Sequence, residues 1–228
     1  RGAEGAVRNS PPPGIESVVQ PMFILQPDQS HQLITCVAIN EEADPECRNR
    51  LSAEQCRKVI SWSEWLEPEE GKTVARGAES SEKDPMRSVL QYGIPIRDDT
   101  VWLYDRLLSL AAAVNAKHEW NFEIAGFYRP LNLLRYVGAQ EHFYNWHIDI
   151  VSGSESARKI SVSLQLSAPD DYKGCDLEIN NGDRIIRPSR DQGTIVMFPS
   201  YMLHRVTPIT AGERWAVVGW VQGLHSFR

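Results

Sequence analysis

The sequence predicts a β-rich α+β chain in which early helices support one side of a sheet and the second half closes into a sandwich, a jelly roll or a barrel. Three observations carry this. From Asn121 onward, about eight short apolar or alternating stretches follow one another, separated by turn-forming residues. Before Asn121, two segments place apolar residues at helical spacing. The 228 residues are 42% hydrophobic and 24% charged, which is enough apolar material for a core and excludes a fully disordered chain.

The elements follow in order. Residues 1–30 read as an extended, weakly ordered segment, small and polar at first and then fixed by Pro11, Pro12 and Pro13. The chain opens on Arg1 rather than Met, which points to an altered or incomplete N-terminus. His31–Asn40 is rich in β-branched residues and reads as a strand. Ser52, three residues before Gln55, forms a capping-box pattern for a helix running to Trp65. Residues 67–86 are an acidic loop with one short strand at Thr73–Arg76, and Ser88–Ile96 is a strand. A second helix starts at Asp99 or Thr100 and ends near Ala116, with Val101, Tyr104, Leu107, Leu108 and Ala111 on one face.

The strand-rich half comprises Phe122–Phe127, Leu133–Val137, His142–Ile150, Lys159–Leu166, Asp176–Ile179, Arg184–Arg187, Thr194–Phe198, His204–Pro208 and Trp215–Gln222. No internal repeat and no linker interrupts it. Residues 31–228 therefore read as one domain, with helical support at 52–118 and a strand core at 121–222.

Several function classes lose ground at once. The net charge of −6 disfavours nucleic acid as a partner. The longest nearly apolar run, Leu107–Val114, is too short to span a bilayer. Cys36, Cys47, Cys56 and Cys175 show no CxxC spacing, which argues against structural zinc and favours free thiols. Neither a G-x-S-x-G elbow nor a P-loop is present, which weakens hydrolase and phosphoryl-transfer readings.

The residues that carry chemistry are His147, Asp149 and His204. On a strand, as NWHIDI suggests, His147 and Asp149 project from the same face because the side-chain period is two. His204 opens another strand much further along. Two imidazoles and one carboxylate leave three metal positions open, the arrangement a non-haem Fe(II) oxygenase needs to hold a co-substrate and admit O2. A lone H-x-D also arises by chance, and His142 is a rival ligand that a continuous strand would turn to the opposite face. Arg214 lies beyond His204, across a turn at Ala211–Gly212. A hairpin of that length puts it on the strand beside His204, where its guanidinium could hold one carboxylate of a dicarboxylic acid. The alternative is a surface arginine next to Glu213.

The segments RYVGAQEHFYNWHIDI (135–150), KISVSLQLSAPDDYKGCDLEI (159–179) and GTIVMFPSYMLHRVTPITAGERWAVVGW (193–220) resemble 2-oxoglutarate- and Fe(II)-dependent dioxygenases of the prolyl 4-hydroxylase superfamily, in particular the prokaryotic prolyl/lysyl-hydroxylase-domain type. Most specific are Phe198-Pro199, His204, Val206-Thr207-Pro208 and Gly212-Glu213-Arg214. The likeness covers roughly the C-terminal two fifths of the chain. It implies a double-stranded β-helix (jelly roll) with N-terminal supporting helices.

It also implies Fe(II) held by His147, Asp149 and His204, with 2-oxoglutarate as co-substrate and its distal carboxylate on Arg214. Tyr136 stands where these enzymes often have a tyrosine near that carboxylate; the other reading is a cross-strand packing aromatic. Ser163 and Gln165 are candidates for the co-substrate pocket. O2 is the second co-substrate and ascorbate a possible reductant. Cys175 departs from the family, which commonly has a second glycine there.

The resemblance implies oxidative decarboxylation to succinate and CO2, coupled to hydroxylation of an unactivated C–H bond. A prolyl or other amino-acid residue in a peptide or protein is the favoured substrate, and a free amino acid or small metabolite the alternative. Tyr144, Trp146 and Trp220 are candidate substrate contacts, with core packing as the other reading for aromatics in strands. The segment Val151–Arg158 is a lid or an ordinary connection. A non-catalytic jelly-roll binding module, a cupin of another metal class and a nucleic-acid demethylase are the competing readings. Free thiols and ferrous iron together suit a reducing, cytoplasmic compartment.

Overall fold

The computed structural model describes residues 37–39, 50–70, 86–118 and 120–227. The segment 1–30, most of the strand expected at His31–Asn40, the short strand expected at Thr73–Arg76, and Cys36 and Cys47 lie outside the described residues.

Helix α1 (Ala53–Ser61) is capped as its sequence predicts. The Ser52 hydroxyl accepts from the Gln55 amide at 3.2 Å, and Gln55 Oε1 accepts from the Ser52 amide at 3.0 Å. The helix ends earlier than expected and passes into a 3-10 turn at Trp62–Glu64. Helix α2 (Val101–Lys117) turns Leu103, Tyr104, Leu107, Leu110, Ala111 and Val114 inward. The Tyr104 hydroxyl donates to Ile94 O at 2.5 Å and accepts from the Leu131 amide at 2.8 Å, which ties this helix to two strands.

The strands are β1 (Val37–Ile39), β2 (Glu69–Glu70), β3 (Arg87–Ser88), β4 (Leu90–Ile94), β5 (Gly126–Phe127), β6 (Leu131–Val137), β7 (Phe143–His147), β8 (Arg158–Gln165), β9 (Tyr172–Gly174), β10 (Leu177–Asn180), β11 (Ile185–Ile186), β12 (Ile195–Pro199), β13 (Leu203–Val206) and β14 (Ile209–Gln222). The larger sheet runs β1-β12-β8-β14-β6-β4-β2, with β5 and β9 also on β14; the smaller runs β11-β10-β13-β7-β3. Every pairing is antiparallel. The architecture is a double-stranded β-helix with helices supporting one side, as expected.

The larger sheet is buried on both faces, and the strand period of two sorts its residues. Ile160, Val162 and Leu164 of β8, Ile195 and Met197 of β12, and Val217 and Val221 of β14 pack with the helices in one apolar core. The alternate residues turn to the smaller sheet. There Leu134 and Tyr136 of β6 meet Val206 of β13, and Val196 and Phe198 of β12 meet Ile179 of β10. On β8 the alternate residues are Ser161, Ser163 and Gln165, all buried. Polar groups on a buried face need partners, so the space between the sheets is where this chain has room for chemistry.

One expectation is corrected here. Ala211–Gly212 is not a hairpin turn. The chain leaves the smaller sheet at the end of β13, crosses at Thr207–Pro208, and continues unbroken as β14 in the larger sheet. Gly212 instead marks a kink where β14 passes from β9 toward β6 and β8. Its φ is +73°, and a Cβ there would lie 2.0 Å from Asp171 O. His204 and Arg214 therefore stand on different sheets.

Two stability predictions follow from this packing. Gly212→Ala combines a left-handed φ with a backbone clash and should cost at least about 1–3 kcal/mol, measured by urea unfolding. Glu178 is 2% exposed and held by Arg205 Nε at 2.7 Å and Arg187 Nε at 2.8 Å. Burial raises its pKa, but the two guanidinium groups outweigh burial and hold it below the ordinary value of 4.5. A depressed folded-state pKa stabilises above the unfolded value and is lost as pH falls through the folded one. Glu178→Gln should therefore cost about 1–3 kcal/mol at pH 7, and the gap to the parent should close as pH drops below about 4.5.

Candidate metal centre

His147 ends β7 and pairs directly with His204 on β13, their rings 4.1 Å apart. Each Nδ1 faces a backbone carbonyl two residues earlier: Asn145 O at 2.7 Å for His147, and Met202 O at 2.9 Å for His204. A carbonyl only accepts, so each Nδ1 carries the proton and each Nε2 keeps a free lone pair.

Asp149 lies beyond the strand. The expected strand to Ile150 stops at His147, and Asp149 sits in a bend fixed from three sides. Its amide donates to Ser200 O at 3.0 Å, its carbonyl accepts from Arg158 Nη1 at 3.0 Å, and its Oδ2 accepts from the Ser161 hydroxyl at 2.5 Å. Asp149 Oδ1 is 3.6 Å from His147 Nε2, and Oδ2 is 3.4 Å from His204 Nε2. One donor atom from each of the three residues lies within 4.8 Å of the others.

Burial, and then the neighbouring His204, lower the pKa of His147 to about 4, so its imidazole is neutral at pH 7. Burial raises the pKa of Asp149. The two histidines and hydrogen bonds from Ser161 and Trp220 pull it down further, and the net shift is below the ordinary carboxylate value. Two imidazoles, each with Nε2 free, and one carboxylate are the donor set a divalent transition metal such as Fe(II) takes, so the residues present fit that ion. His142, the rival ligand, is not part of the cluster. Its Nδ1 accepts from the Val137 amide at 3.1 Å.

A β-bulge decides which aromatics join the site. The register slips between the His204–His147 and Val206–Tyr144 pairs, so β7 spends three residues where β13 spends two. Tyr144 and His147 thus face the same cavity and stack at 3.5 Å. Trp146 is absent from the cavity wall and packs under the Arg205 guanidinium at 4.6 Å instead. Trp220 does line the cavity, with Arg158 over its ring at 3.8 Å. Trp215 belongs to the other face of the larger sheet, against Tyr92 and Arg135.

At the far end of the cavity stands Arg214, 4% exposed. It pairs with Tyr136 across β14 and β6, and its Nε donates to Gln165 Oε1 at 2.9 Å. Burial opposes its charge, while Cys175, Tyr172 and Tyr136 favour it. Among the described residues no carboxylate pairs with it. Cys175 has a left-handed φ of +56°, the backbone conformation that suits the glycine common at this position, and its thiol touches Arg214. Ser163 lines the cavity between the two ends. Gln165 lies beside Arg214 in an adjoining pocket rather than against the metal ligands.

The sequence reading missed Ser161, Arg158 and Arg87. Ser161 was within reach of it, since the alternation that exposes Ser163 and Gln165 to the cavity exposes Ser161 as well. The proposed lid at Val151–Arg158 contains a 3-10 turn at Gly153–Ala157, pinned by an ion pair of 2.9 Å between Arg158 and Glu155.

Comparison with known proteins agrees with this geometry. The sequence profile of the 2OG-Fe(II) oxygenase superfamily matches residues 131–222. A PKHD-type hydroxylase of Hyphomonas neptunium is 43% identical over 83 residues, covering 35% of this chain and 37% of its own length. Another, from a Shewanella species, is 40% identical over 104 residues, covering 43% and 44%. The chain thus spans about two fifths of the curated relatives it matches.

Among solved structures, a Pseudomonas putida prolyl-4-hydroxylase superposes with a TM-score of 0.61 at 19% identity, covering 86% of this chain and 97% of that one. A Trichoplax adhaerens prolyl hydroxylase, in complex with a hypoxia inducible factor oxygen degradation domain peptide fragment, gives 0.63 at 18%, covering 86% and 89%. Residues 131–222 match the 2OG-Fe(II) oxygenase superfamily, and the chain as a whole has the fold of the prolyl hydroxylases on which it superposes.

Proposed function

We propose that this chain is an Fe(II)- and 2-oxoglutarate-dependent dioxygenase, an oxidoreductase that hydroxylates an unactivated C–H bond of a prolyl or other amino-acid residue in a peptide or protein. The single observation that carries the reading is Arg214. A guanidinium buried without an acidic partner is costly unless an anion completes it. It stands on the same cavity as three convergent metal donors. The two ends are joined by one face of β8, from Ser161 beside Asp149 to Gln165 beside Arg214, four residues or about 13 Å of strand. Side chains reaching inward from both ends shorten that span to the scale of a five-carbon dicarboxylate.

The roles divide accordingly. His147, Asp149 and His204 hold the metal. The Nδ1–carbonyl bonds keep both imidazoles in the ligating tautomer, and Ser161 and Trp220 orient the Asp149 carboxylate. Arg214 holds the distal carboxylate of 2-oxoglutarate, Gln165 aims Arg214, and Tyr136 closes that end. Fe(II) bound there supplies O2 activation through oxidative decarboxylation of 2-oxoglutarate to succinate and CO2, with ascorbate as a reductant. The apolar wall of Leu134, Val218 and Phe198 keeps water from the reacting centre.

Residues 31–228 act as one domain in this reading, with the helices bracing the sheet. The wall formed by Tyr144 and Trp220 suits a prolyl ring or an alkyl side chain, and the peptide in the Trichoplax complex supports a peptide substrate.

The deciding experiment is succinate formation from 2-oxoglutarate by Fe(II)-reconstituted protein exposed to air. The parent should turn over slowly without substrate, and Asp149→Ala should bind no stoichiometric Fe(II) and form no succinate. A parent that binds neither iron nor 2-oxoglutarate would leave a non-catalytic module. Arg214→Ala should weaken 2-oxoglutarate binding at least about tenfold by calorimetry, the loss of a charge-assisted pair. Ser161→Ala should retain the fold and weaken Fe(II) binding about 10- to 100-fold, through disorientation of Asp149.

A further inference from the structure

Arg87 is a second cation on the cavity wall. It sits on β3 at the edge of the smaller sheet, directly opposite Tyr144 of β7. Its guanidinium lies 4.8 Å from the Tyr144 ring, which in turn stacks on His147 at 3.5 Å. Nη2 donates to Gln91 Oε1 at 3.0 Å. Nε is buried and has no hydrogen-bond partner. No carboxylate among the described residues pairs with the group. An orphaned, buried N–H on a permanent cation calls for an acceptor, and a negative one is worth most.

The charges on the wall say where that acceptor comes from. Among the described residues that line the cavity, Asp149 is the only acidic side chain, and Arg87 and Arg214 are the only permanent cations. On the dioxygenase reading, a divalent metal, Asp149 and Arg214 together carry two positive charges, and the 2-oxoglutarate dianion neutralises them. Arg87 is left over. Its contact chain, guanidinium on phenol on metal-ligating imidazole, places it one aromatic ring from the reacting centre.

We infer that Arg87 is the substrate-selecting residue and that the substrate carries a carboxylate near the carbon that is hydroxylated. This rests on the dioxygenase reading and narrows it. The carboxylate could be the α-carboxylate of a free amino acid or the side chain of an acidic residue flanking the target in a peptide. Both are the same chemistry at Arg87.

Calorimetry on the Fe(II)- and 2-oxoglutarate-loaded protein without oxygen tests it, because binding is then read without turnover. Two matched pairs serve as probes: L-proline with L-prolinamide, and N-acetyl-Glu-Pro-amide with N-acetyl-Gln-Pro-amide. In at least one pair the carboxylate member should bind about tenfold or more tightly than its amide partner. Arg87→Gln, which removes the charge and keeps a polar side chain, should erase that difference, and Arg87→Lys, which keeps the charge, should retain part of it. A preference confined to the proline pair identifies a free amino acid, and one confined to the peptide pair an acidic flank. If neither pair is discriminated in the parent, or if discrimination survives Arg87→Gln, the assignment is overturned. The preceding 2-oxoglutarate titration separates the two failures. A parent that takes up no 2-oxoglutarate overturns the dioxygenase reading itself, whereas uptake without discrimination overturns only the role of Arg87.

Discussion

Strand β8 is buried on both of its faces, and the two faces want opposite things. Ile160, Val162 and Leu164 fill the core beneath the helices, and Ser161, Ser163 and Gln165 look into the cavity. Every polar group on the second face needs a partner in a place with little water. Ser161 finds Asp149, and Gln165 finds Arg214 and the Tyr172 hydroxyl. The strand thus fixes both ends of the site at a set separation. The apolar half of the same strand, locked by the helices, keeps that separation from varying.

Charge in the protein is handled in two ways. Glu178 is buried but answered by Arg187 and Arg205, so it is a structural clamp that needs nothing further. Among the described residues, Arg214 and Arg87 are answered by neutral partners, Gln165 and Gln91. A neutral amide orients a guanidinium without cancelling its charge. The first arrangement stabilises the folded chain; the second leaves positive potential facing the cavity, where an anionic ligand can complete it.

Much of this was legible in the sequence. The capping box at Ser52 and Gln55, the second helix and the succession of strands follow from local rules that operate within a few residues. The donor set of His147, Asp149 and His204 also stood out, because the residue types are those a ferrous site requires. Legibility failed wherever the relevant partner was remote. The hairpin expected between His204 and Arg214 assumed that nearby residues share a sheet. Here the chain crosses from the smaller sheet to the larger at Thr207–Pro208, so β13 and β14 lie in different sheets instead. Trp146 was placed near the metal by its neighbours in sequence, but adjacent strand residues point to opposite faces, and it is Tyr144 that the bulge in β7 brings to the side of His147.

By itself the sequence determined the period of two that gives β8 an apolar and a polar face, the helix that starts at Ser52, and the presence of two imidazoles, a carboxylate and an arginine on strand-forming segments. These follow from side-chain chemistry and backbone propensity, which are properties of residues and their immediate neighbours. Only the tertiary structure decided that Tyr144 joins His147, that Asp149 is held by Ser161 and Ser200, and that Arg214 and Arg87 reach the same cavity with no acid beside them among the described residues. Those outcomes depend on register between strands distant in sequence. A slip of a single residue there reverses the face each side chain occupies.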